Sequence, residues 1–174
     1  MKRVILDTSV YGKFVDEPEI ADMVLKRVPE EFVIYGTETI KKELRETPKH
    51  LIHKGKKLRI ILLSFYGAFI RKSHHDLSYN KLVETLTKDY LLEYKRKGGV
   101  TPSRKLKNDF TIIATATIYK LDIVISDDEE TMLSPLSIET YQFVNKKYGM
   151  PDPVFKKYRA FREELLKNQE ERPL

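Results

Sequence analysis

Three short apolar segments alternate with stretches in which apolar residues recur at helical spacing. The segments RVILD (3–7), EFVIYG (31–36) and LDIVIS (121–126) have consecutive apolar and β-branched positions, which predicts strands covered on both faces. Helical spacing is found at 19–28, 37–46, 79–97 and 108–120. Short buried strands separated by helices of this length indicate an α/β fold, with a central parallel sheet and helices on both faces.

Two other segments are harder to interpret. The run at 58–70 is so apolar that periodicity cannot separate a buried helix from a strand, and we favour a helix. Near the end of the chain, Asp152 and Pro153 resemble an N-cap and a first-turn proline, followed by apolar residues at near-helical spacing. We therefore expect one main domain at 1–150, and an amphipathic helix at 151–174 packed on the same domain.

The composition narrows the class of protein. A chain of 174 residues with 41% hydrophobic content is long enough for a single domain with a full core. It has no cysteine, which excludes disulfides, thiolate zinc sites and a cysteine nucleophile. No segment reaches the roughly 18 apolar residues that a membrane span needs, so no membrane association and a cytoplasmic location are expected. Lys and Arg outnumber Asp and Glu by 32 to 26, which favours a polyanionic partner.

Four acids occupy the positions where an open parallel sheet places its chemistry. Asp7 follows the first predicted strand and Asp127 follows the third, while Glu43 and Asp109 lie in the helices after the second strand and before the third. Because the ligand crevice lies beyond the carboxyl ends of the strands, these four side chains can converge there. Clustered carboxylates repel one another unless a cation lies among them, and oxygen ligands suit Mg²⁺ or Mn²⁺. Such a metal site can activate water against a phosphodiester.

Each acid also has a structural interpretation. Asp127 with Glu130 resembles a capping box. The role of Asp109 could simply be to stabilise the start of a helix. Glu43 alone would be a solvated surface residue. Asp7 is the least ordinary of the four, because an acid that ends a buried strand needs a partner or a cation. The order and spacing of the set, rather than any single member, support the metal-site hypothesis.

At these residues the chain resembles the PIN-domain ribonucleases, in particular the VapC-type toxins of prokaryotic toxin-antitoxin pairs. The matching segments are VILDTSV, IKKEL and NDFTIIATATIYKLDIVISDD, which span most of the chain up to about residue 133. The resemblance implies a three-layer α/β/α fold and Mg²⁺- or Mn²⁺-dependent hydrolysis of single-stranded RNA. It also implies an antitoxin partner and a homodimer. Two features depart from the family pattern: extra length at 48–107 and after 148, and no visible fifth strand after Asp127, since 135–149 looks helical.

The same resemblance assigns roles to particular residues. Asp7, Glu43, Asp109 and Asp127 would be the metal-binding catalytic acids, with Asp128 an additional or substitute ligand. Thr8 or Ser9 would orient ligands or substrate.

A basic segment precedes the third acid. Its cationic residues are Lys95, Arg96, Lys97, Arg104, Lys105 and Lys107. Basic side chains beside an acidic site can position the RNA backbone without reading its sequence, although a solvated charged loop is an equally simple interpretation.

Two other functions remain open at this level. A phosphatase with an Asp nucleophile after its first strand is one, but DTS lacks the second acid two residues on that such enzymes use. A catalytically dormant RNA-binding protein on the same fold is the other. The sequence has no glycine-rich phosphate loop, which argues against nucleotide hydrolysis and dinucleotide redox chemistry.

Overall fold

The central sheet has five parallel strands, and the computed structural model describes residues 1–28 and 30–170. The strands are β1 (Lys2–Leu6), β2 (Phe32–Thr37), β5 (Asp76–Leu77), β6 (Ile123–Ser126) and β7 (Val154–Lys157). Their order is β5-β2-β1-β6-β7, and every neighbouring pair is parallel. Two further strands, β3 (Ile52–His53) and β4 (Lys56–Lys57), form a separate antiparallel hairpin.

Eight helices among the described residues flank this sheet. They are α1 (Thr8–Asp16), α2 (Pro18–Arg27), α3 (Glu38–Glu46), α4 (Leu58–Phe69), α5 (Lys81–Arg96), α6 (Ser103–Ile118), α7 (Pro135–Lys147) and α8 (Tyr158–Glu170). A short 3-10 turn, Ser73–His75, precedes β5. Within the described ranges, no helix has the length and apolar character needed to cross a bilayer.

Burial along the central strands confirms the layered architecture. Ile5 and Leu6 in β1 are both fully buried, as are Val124 and Ile125 in β6. Successive side chains of a strand point to opposite faces, so burial at consecutive positions means that both faces are covered. The three-layer α/β/α fold with a central parallel sheet is therefore confirmed, and the apolar runs that predicted β1, β2 and β6 are explained by it.

Three local assignments change the surroundings of the acids. Helix α1 starts at Thr8, directly after Asp7, where the sequence pattern predicted no helix. Helix α6 starts at Ser103, so Asp109 lies in its second turn and does not open it. Residues 127–133 form turns and bends, and α7 begins only at Pro135, so the alternative interpretation of Asp127 and Glu130 as a capping box is wrong. The apolar run at 58–70 is helical, as favoured.

The predicted start of the last helix at Asp152 is wrong. Residues Val154–Lys157 form β7, which pairs with β6 and supplies the fifth strand that the sequence did not reveal. Asp152 accepts a hydrogen bond from the Asn145 side chain (2.8 Å), so it does not cap a helix. The free edge of β6 accounts for the difference, since it offers hydrogen-bond partners to the segment. Helix α8 begins at Tyr158, and residues 171–174 of the predicted helix lie outside the described residues.

Candidate active site

The carboxyl ends of β1 and β6 lie side by side. Leu6 is paired with Ile125, and the Asp7 backbone N–H donates to the Ile125 carbonyl (2.9 Å). Asp7 therefore leaves the sheet beside the turn that holds residues 126–128. Helices α3 and α6 pack against each other at this edge and bring Glu43 and Asp109 to it. The sheet register and two helices thus gather acids from four separate segments.

Asp7 is held by three donors. It is the N-cap of α1, and its Oδ2 accepts from the Ser9 backbone N–H (3.3 Å), the Ser9 hydroxyl (2.6 Å) and the Ser126 hydroxyl (2.9 Å). The residue is 5% exposed. Burial raises the pKa of the Asp7 carboxyl, and the two hydroxyl groups offset part of that rise. The serines fix the orientation of a carboxylate that has little access to water.

Glu43 is held by donors from two other elements. The Thr8 hydroxyl donates to Oε2 (2.5 Å), and the Asn108 amide donates to Oε1 (2.7 Å). Burial raises the pKa of Glu43, these hydrogen bonds lower it, and the negative charge of Asp7 raises it again. Glu43 is therefore not the solvated surface residue that it would be if taken alone.

Asp109 shows that the acids lie close enough to repel one another. Burial, together with the charges of Asp7, Asp128 and Glu43, raises the pKa of Asp109 to about 7. The Thr131 hydroxyl donates to Asp109 Oδ2 (2.6 Å), and this contact lowers the pKa only in part. At neutral pH this carboxyl is thus close to its midpoint of protonation.

The two adjacent acids after β6 have different partners. Asp128 contacts the hydroxyl of Thr131, which bridges it to Asp109, and its Oδ1 accepts from the backbone N–H groups of Glu130 and Thr131. The carboxylate of Asp127 instead pairs with Lys13 (3.0 Å) and is 36% exposed. The structure thus gathers Asp7, Glu43, Asp109 and Asp128, and it places the side chain of Asp127 on the Lys13 side. We refer to the first four as the acid cluster.

Several polar residues around the acid cluster were not singled out by the sequence. They are Asn108, Ser126 and Thr131, and each donates a hydrogen bond to one of the acids. Thr8 and Ser9, which the resemblance suggested, make such contacts too, with Glu43 and Asp7 respectively. Their position in the sequence could have identified them, since every one of these residues lies within three positions of an acid in the chain.

The basic segment before Asp109 divides into paired and unpaired residues. Arg96 pairs with Glu93, and Lys97 pairs with Glu139. Among the described residues, no ion pair involves Lys95, Arg104, Lys105 or Lys107, which are all exposed. Lys105 precedes Asp109 by four positions in α6, so the two lie on the same face of the helix. The four unpaired residues are thus the members of this segment whose charge no acid in the described part of the chain neutralises.

The acid cluster has the ligand chemistry of a hard divalent cation. It offers only carboxylate oxygens, and among the described residues none of its four acids forms an ion pair with Lys, Arg or His. In the described part of the chain, however, no three His, Asp or Glu side chains stand together in a metal-binding arrangement. The donor types suit Mg²⁺ or Mn²⁺, whereas the side-chain positions would have to close further around an ion.

Similarity to known proteins is found in the three-dimensional structure and not in the sequence. No family model and no curated protein matches this sequence. A chain of the VapBC2 complex from Rickettsia felis, bound to a DNA fragment from its promoter, aligns over 90% of this chain and 98% of its own length, at 12% identity and a TM-score of 0.60. A chain of DNA-bound VapBC from Salmonella typhimurium aligns over the same shares, at 16% identity and a TM-score of 0.58.

A third solved structure extends the likeness. A chain of FitAcB from Neisseria gonorrhoeae aligns over 88% of this chain and 96% of its own, at 17% identity and a TM-score of 0.53. These identities are low, so the comparison establishes the fold. A chain of FitAB bound to an IR36 DNA fragment aligns at the same identity and TM-score. The chain has the α/β fold of the VapBC, FitAcB and FitAB structures, over nearly the full length of the chains that it matches.

Proposed function

We propose that this protein is a Mg²⁺- or Mn²⁺-dependent endoribonuclease that hydrolyses single-stranded RNA at the acid cluster. The observation that carries the proposal is the gathering of Asp7, Glu43, Asp109 and Asp128 with no cation paired to them in the described residues. If these buried acids had only a structural role, we would expect them to be paired with cationic side chains, because an unpaired buried charge is costly. The shared fold with VapBC and FitAB structures supports a nuclease of the toxin type.

The residues around the acid cluster would hold its geometry. A bound Mg²⁺ or Mn²⁺ supplies charge neutralisation at the phosphodiester and a lowered pKa for attacking water. Ser9 and Ser126 orient Asp7, Thr8 and Asn108 orient Glu43, and Thr131 orients Asp109 together with Asp128. Lys105, on the face of α6 that carries Asp109, would contact the RNA backbone. These donors are neutral hydroxyl and amide groups. If a metal ion binds a carboxylate oxygen, the donor that loses its hydrogen bond to that oxygen is therefore not left as an unpaired buried charge.

The gathering of Asp128 revises the fourth ligand that the sequence favoured. We propose that Asp128 completes the metal site and that Asp127, through its ion pair with Lys13, lies beside it. The two adjacent acids can be tested separately as the fourth ligand, because their side chains are held by different partners.

The test is cleavage of a labelled single-stranded RNA with Mn²⁺, compared with the same reaction in excess chelator. We expect cleavage only with the metal, and we expect Asp7→Asn or Asp109→Asn to abolish it while the variants stay folded by circular dichroism. Full activity in either purified variant would reject the assigned roles. RNA binding without cleavage under all these conditions would favour the dormant alternative, which the absence of a preformed ligand arrangement in the described residues also favours. Turnover of para-nitrophenyl phosphate would favour a phosphatase.

The biological setting belongs to the same proposal. We propose an antitoxin partner, a homodimer and a cytoplasmic location, and the support is the shared fold with chains of VapBC and FitAB complexes. Co-expression of the gene immediately upstream, followed by co-purification, would test the partner. Failure of that product to bind or to inhibit cleavage would remove the toxin role and leave the nuclease proposal standing.

A further inference from the structure

The positive charge of the chain is concentrated in one stretch. Seven of the 32 Lys and Arg residues and none of the 26 Asp and Glu residues lie in residues 47–75, so the rest of the chain carries a net charge of about −1. All four histidines lie in the same stretch. It includes the β3–β4 hairpin and α4, within the extra length noted in the sequence. The attraction of the protein for a polyanion therefore arises mainly here.

The hairpin presents its cations in a fixed geometry. Its two-residue turn is Lys54–Gly55, and both residues have positive φ (46° and 78°), as a tight hairpin turn of this type requires. Lys54, Lys56 and Lys57 are exposed, and among the described residues none of them forms an ion pair. Leu58 closes the hairpin onto α4, since its backbone N–H donates to the Leu51 carbonyl (2.9 Å). Three exposed lysines thus lie on one short hairpin, and none of them is paired with an acid in the described part of the chain.

A groove of about 380 Å³ lies between α1 and His53 of this hairpin, and Ser9 in its lining contacts Asp7 of the acid cluster. Its lining includes Ser9, Gly12, Lys13 and Asp16 of α1, with His53, Leu58 and Leu62 opposite. The Ser9 hydroxyl donates a hydrogen bond to Asp7 (2.6 Å), so this end of the groove adjoins the acid cluster. Gly12 keeps the groove wide, because a Cβ built there meets nothing within 4 Å. The Nε2 atom of His53 is buried and has no hydrogen-bond partner among the described residues.

We propose that the hairpin and this groove hold the single-stranded RNA beside the bond to be cleaved, an inference that rests on the proposed function. Lys54, Lys56 and Lys57 contact phosphates of the RNA from the tip and the two faces of the hairpin, and the groove takes one unstacked base between Leu58, Leu62 and the His53 ring. Only a single strand offers a free base to such a groove, because a duplex keeps its bases stacked and paired. The combination of a backbone contact and an apolar slot is typical of sites that bind single strands.

The first experiment measures binding of a fluorescein-labelled single-stranded RNA by anisotropy in excess chelator, so that cleavage does not interfere. Each phosphate contact on a single strand contributes about 0.7 to the slope of log K against log salt, so loss of three contacts in the Lys54→Gln/Lys56→Gln/Lys57→Gln variant lowers the slope by about 2. The same term predicts an affinity loss of about 100-fold at 0.1 M monovalent salt.

A matched triple variant controls for net charge. Lys120→Gln/Lys146→Gln/Lys167→Gln removes the same charge from exposed positions elsewhere, and Lys120 shares with Lys54 a positive φ (53°) that is rare for a non-glycine residue. We expect the control to bind RNA within about threefold of wild type. Equal losses in the two variants, or no loss in the hairpin variant, would overturn the proposal. Retained RNA binding together with lost binding of a polyglutamate peptide would assign the hairpin to an acidic protein instead.

A second pair of variants tests the groove without changing charge. Gly12→Leu fills it, and Gly67→Leu in α4 is the control, because a Cβ at either glycine meets nothing within 4 Å. We expect RNA affinity to fall at least tenfold for Gly12→Leu and to be unchanged for Gly67→Leu. Wild-type affinity in Gly12→Leu, or equal affinity of the wild-type protein for duplex RNA, would overturn the assignment of the groove to an unstacked base.

The outcomes separate this inference from the proposed function. A protein that binds RNA through the hairpin but never cleaves it contradicts the nuclease and leaves the binding surface in place. A protein that cleaves RNA through Asp7, with a hairpin variant that binds and cleaves like wild type, contradicts only the binding surface. A wild-type protein that binds no RNA at low salt contradicts both.

Discussion

Neutralising one carboxylate of the acid cluster should stabilise the metal-free protein, although it abolishes the proposed activity. The pKa of Asp109 is raised from 3.8 to about 7, first by burial and then by the charges of Asp7, Asp128 and Glu43. The folded state therefore binds the Asp109 proton more tightly than the unfolded chain does. Stability is retained at low pH and is lost as the pH rises through about 7. Asp109→Asn has no proton to lose, and its side-chain oxygen can still accept from Thr131.

The magnitude follows from these two pKa values. With 3.8 in the unfolded chain and about 7 in the folded protein, ionisation of Asp109 destabilises the fold by roughly 2.6 kcal/mol between pH 5 and pH 8. Most of this loss falls between pH 5 and pH 7, where the unfolded carboxyl is ionised and the folded one is not. The free energy of unfolding of Asp109→Asn should therefore exceed that of wild type by a margin that is about 2.6 kcal/mol larger at pH 8 than at pH 5.

The assay is urea unfolding in excess chelator at pH 5, 6, 7 and 8, followed by circular dichroism. Asp127→Asn is the control, because its exposed carboxylate pairs with Lys13 and an exposed ion pair contributes little. We expect a difference of less than about 1 kcal/mol between Asp127→Asn and wild type at every pH. A margin for Asp109→Asn that stays constant or shrinks from pH 5 to pH 8 would refute the electrostatic account of the acid cluster.

Three further predictions concern the site, the core and one close backbone contact. Asp128→Asn should lower Mn²⁺-dependent RNA cleavage at least about 100-fold and Asp127→Asn less than about tenfold, and the reverse order in a gel assay would restore Asp127 as the fourth ligand. Asn145→Ala should lower the free energy of unfolding by about 1–3 kcal/mol, because fully buried Asn145 accepts from the Tyr90 hydroxyl (2.6 Å); a thermal midpoint equal to that of wild type would contradict this. Gly36→Ala should destabilise the protein strongly, because its Cβ would lie 2.1 Å from the Tyr66 hydroxyl. Gly67→Ala in α4 should instead stabilise the protein by about 0.5–1 kcal/mol. Equal thermal midpoints for the two variants would contradict the close contact at Gly36.

The central fold and the positions of Asp7, Glu43 and Asp109 could be predicted from the sequence because they depend on strong local patterns, whereas Asp128 was expected only as an additional or substitute ligand. Strands β1, β2 and β6 are buried on both faces, so their apolar runs are unbroken, and Asp7 immediately follows such a run. Helix α1 was missed because it begins without a break after β1, and its first residues, Thr8 and Ser9, resemble a turn.

Strand β7 and the choice between Asp127 and Asp128 depend on tertiary structure, which a local pattern does not contain. VFKK is too short to show a period, and it forms a strand only because β6 offers it an edge. Asp152 and Pro153, by contrast, carry the signature of a helix start that the structure does not use. Asp127 and Asp128 are adjacent acids, and the direction of the turn after Ser126 decides which one meets Thr131 and which one meets Lys13.

The separation of charge within the chain links stability to the proposed function. Among the described residues, no acid of the acid cluster forms an ion pair. The hairpin that carries the unpaired lysines contributes His53 to a groove that also contains Ser9. Had these lysines reached the acids, internal ion pairs would have stabilised the fold and blocked both a metal and a phosphate. By keeping the two sets apart, the structure retains electrostatic repulsion at Asp109 that a divalent cation would relieve. Mn²⁺ should therefore raise the thermal midpoint of the wild-type protein, and should raise that of Asp109→Asn much less.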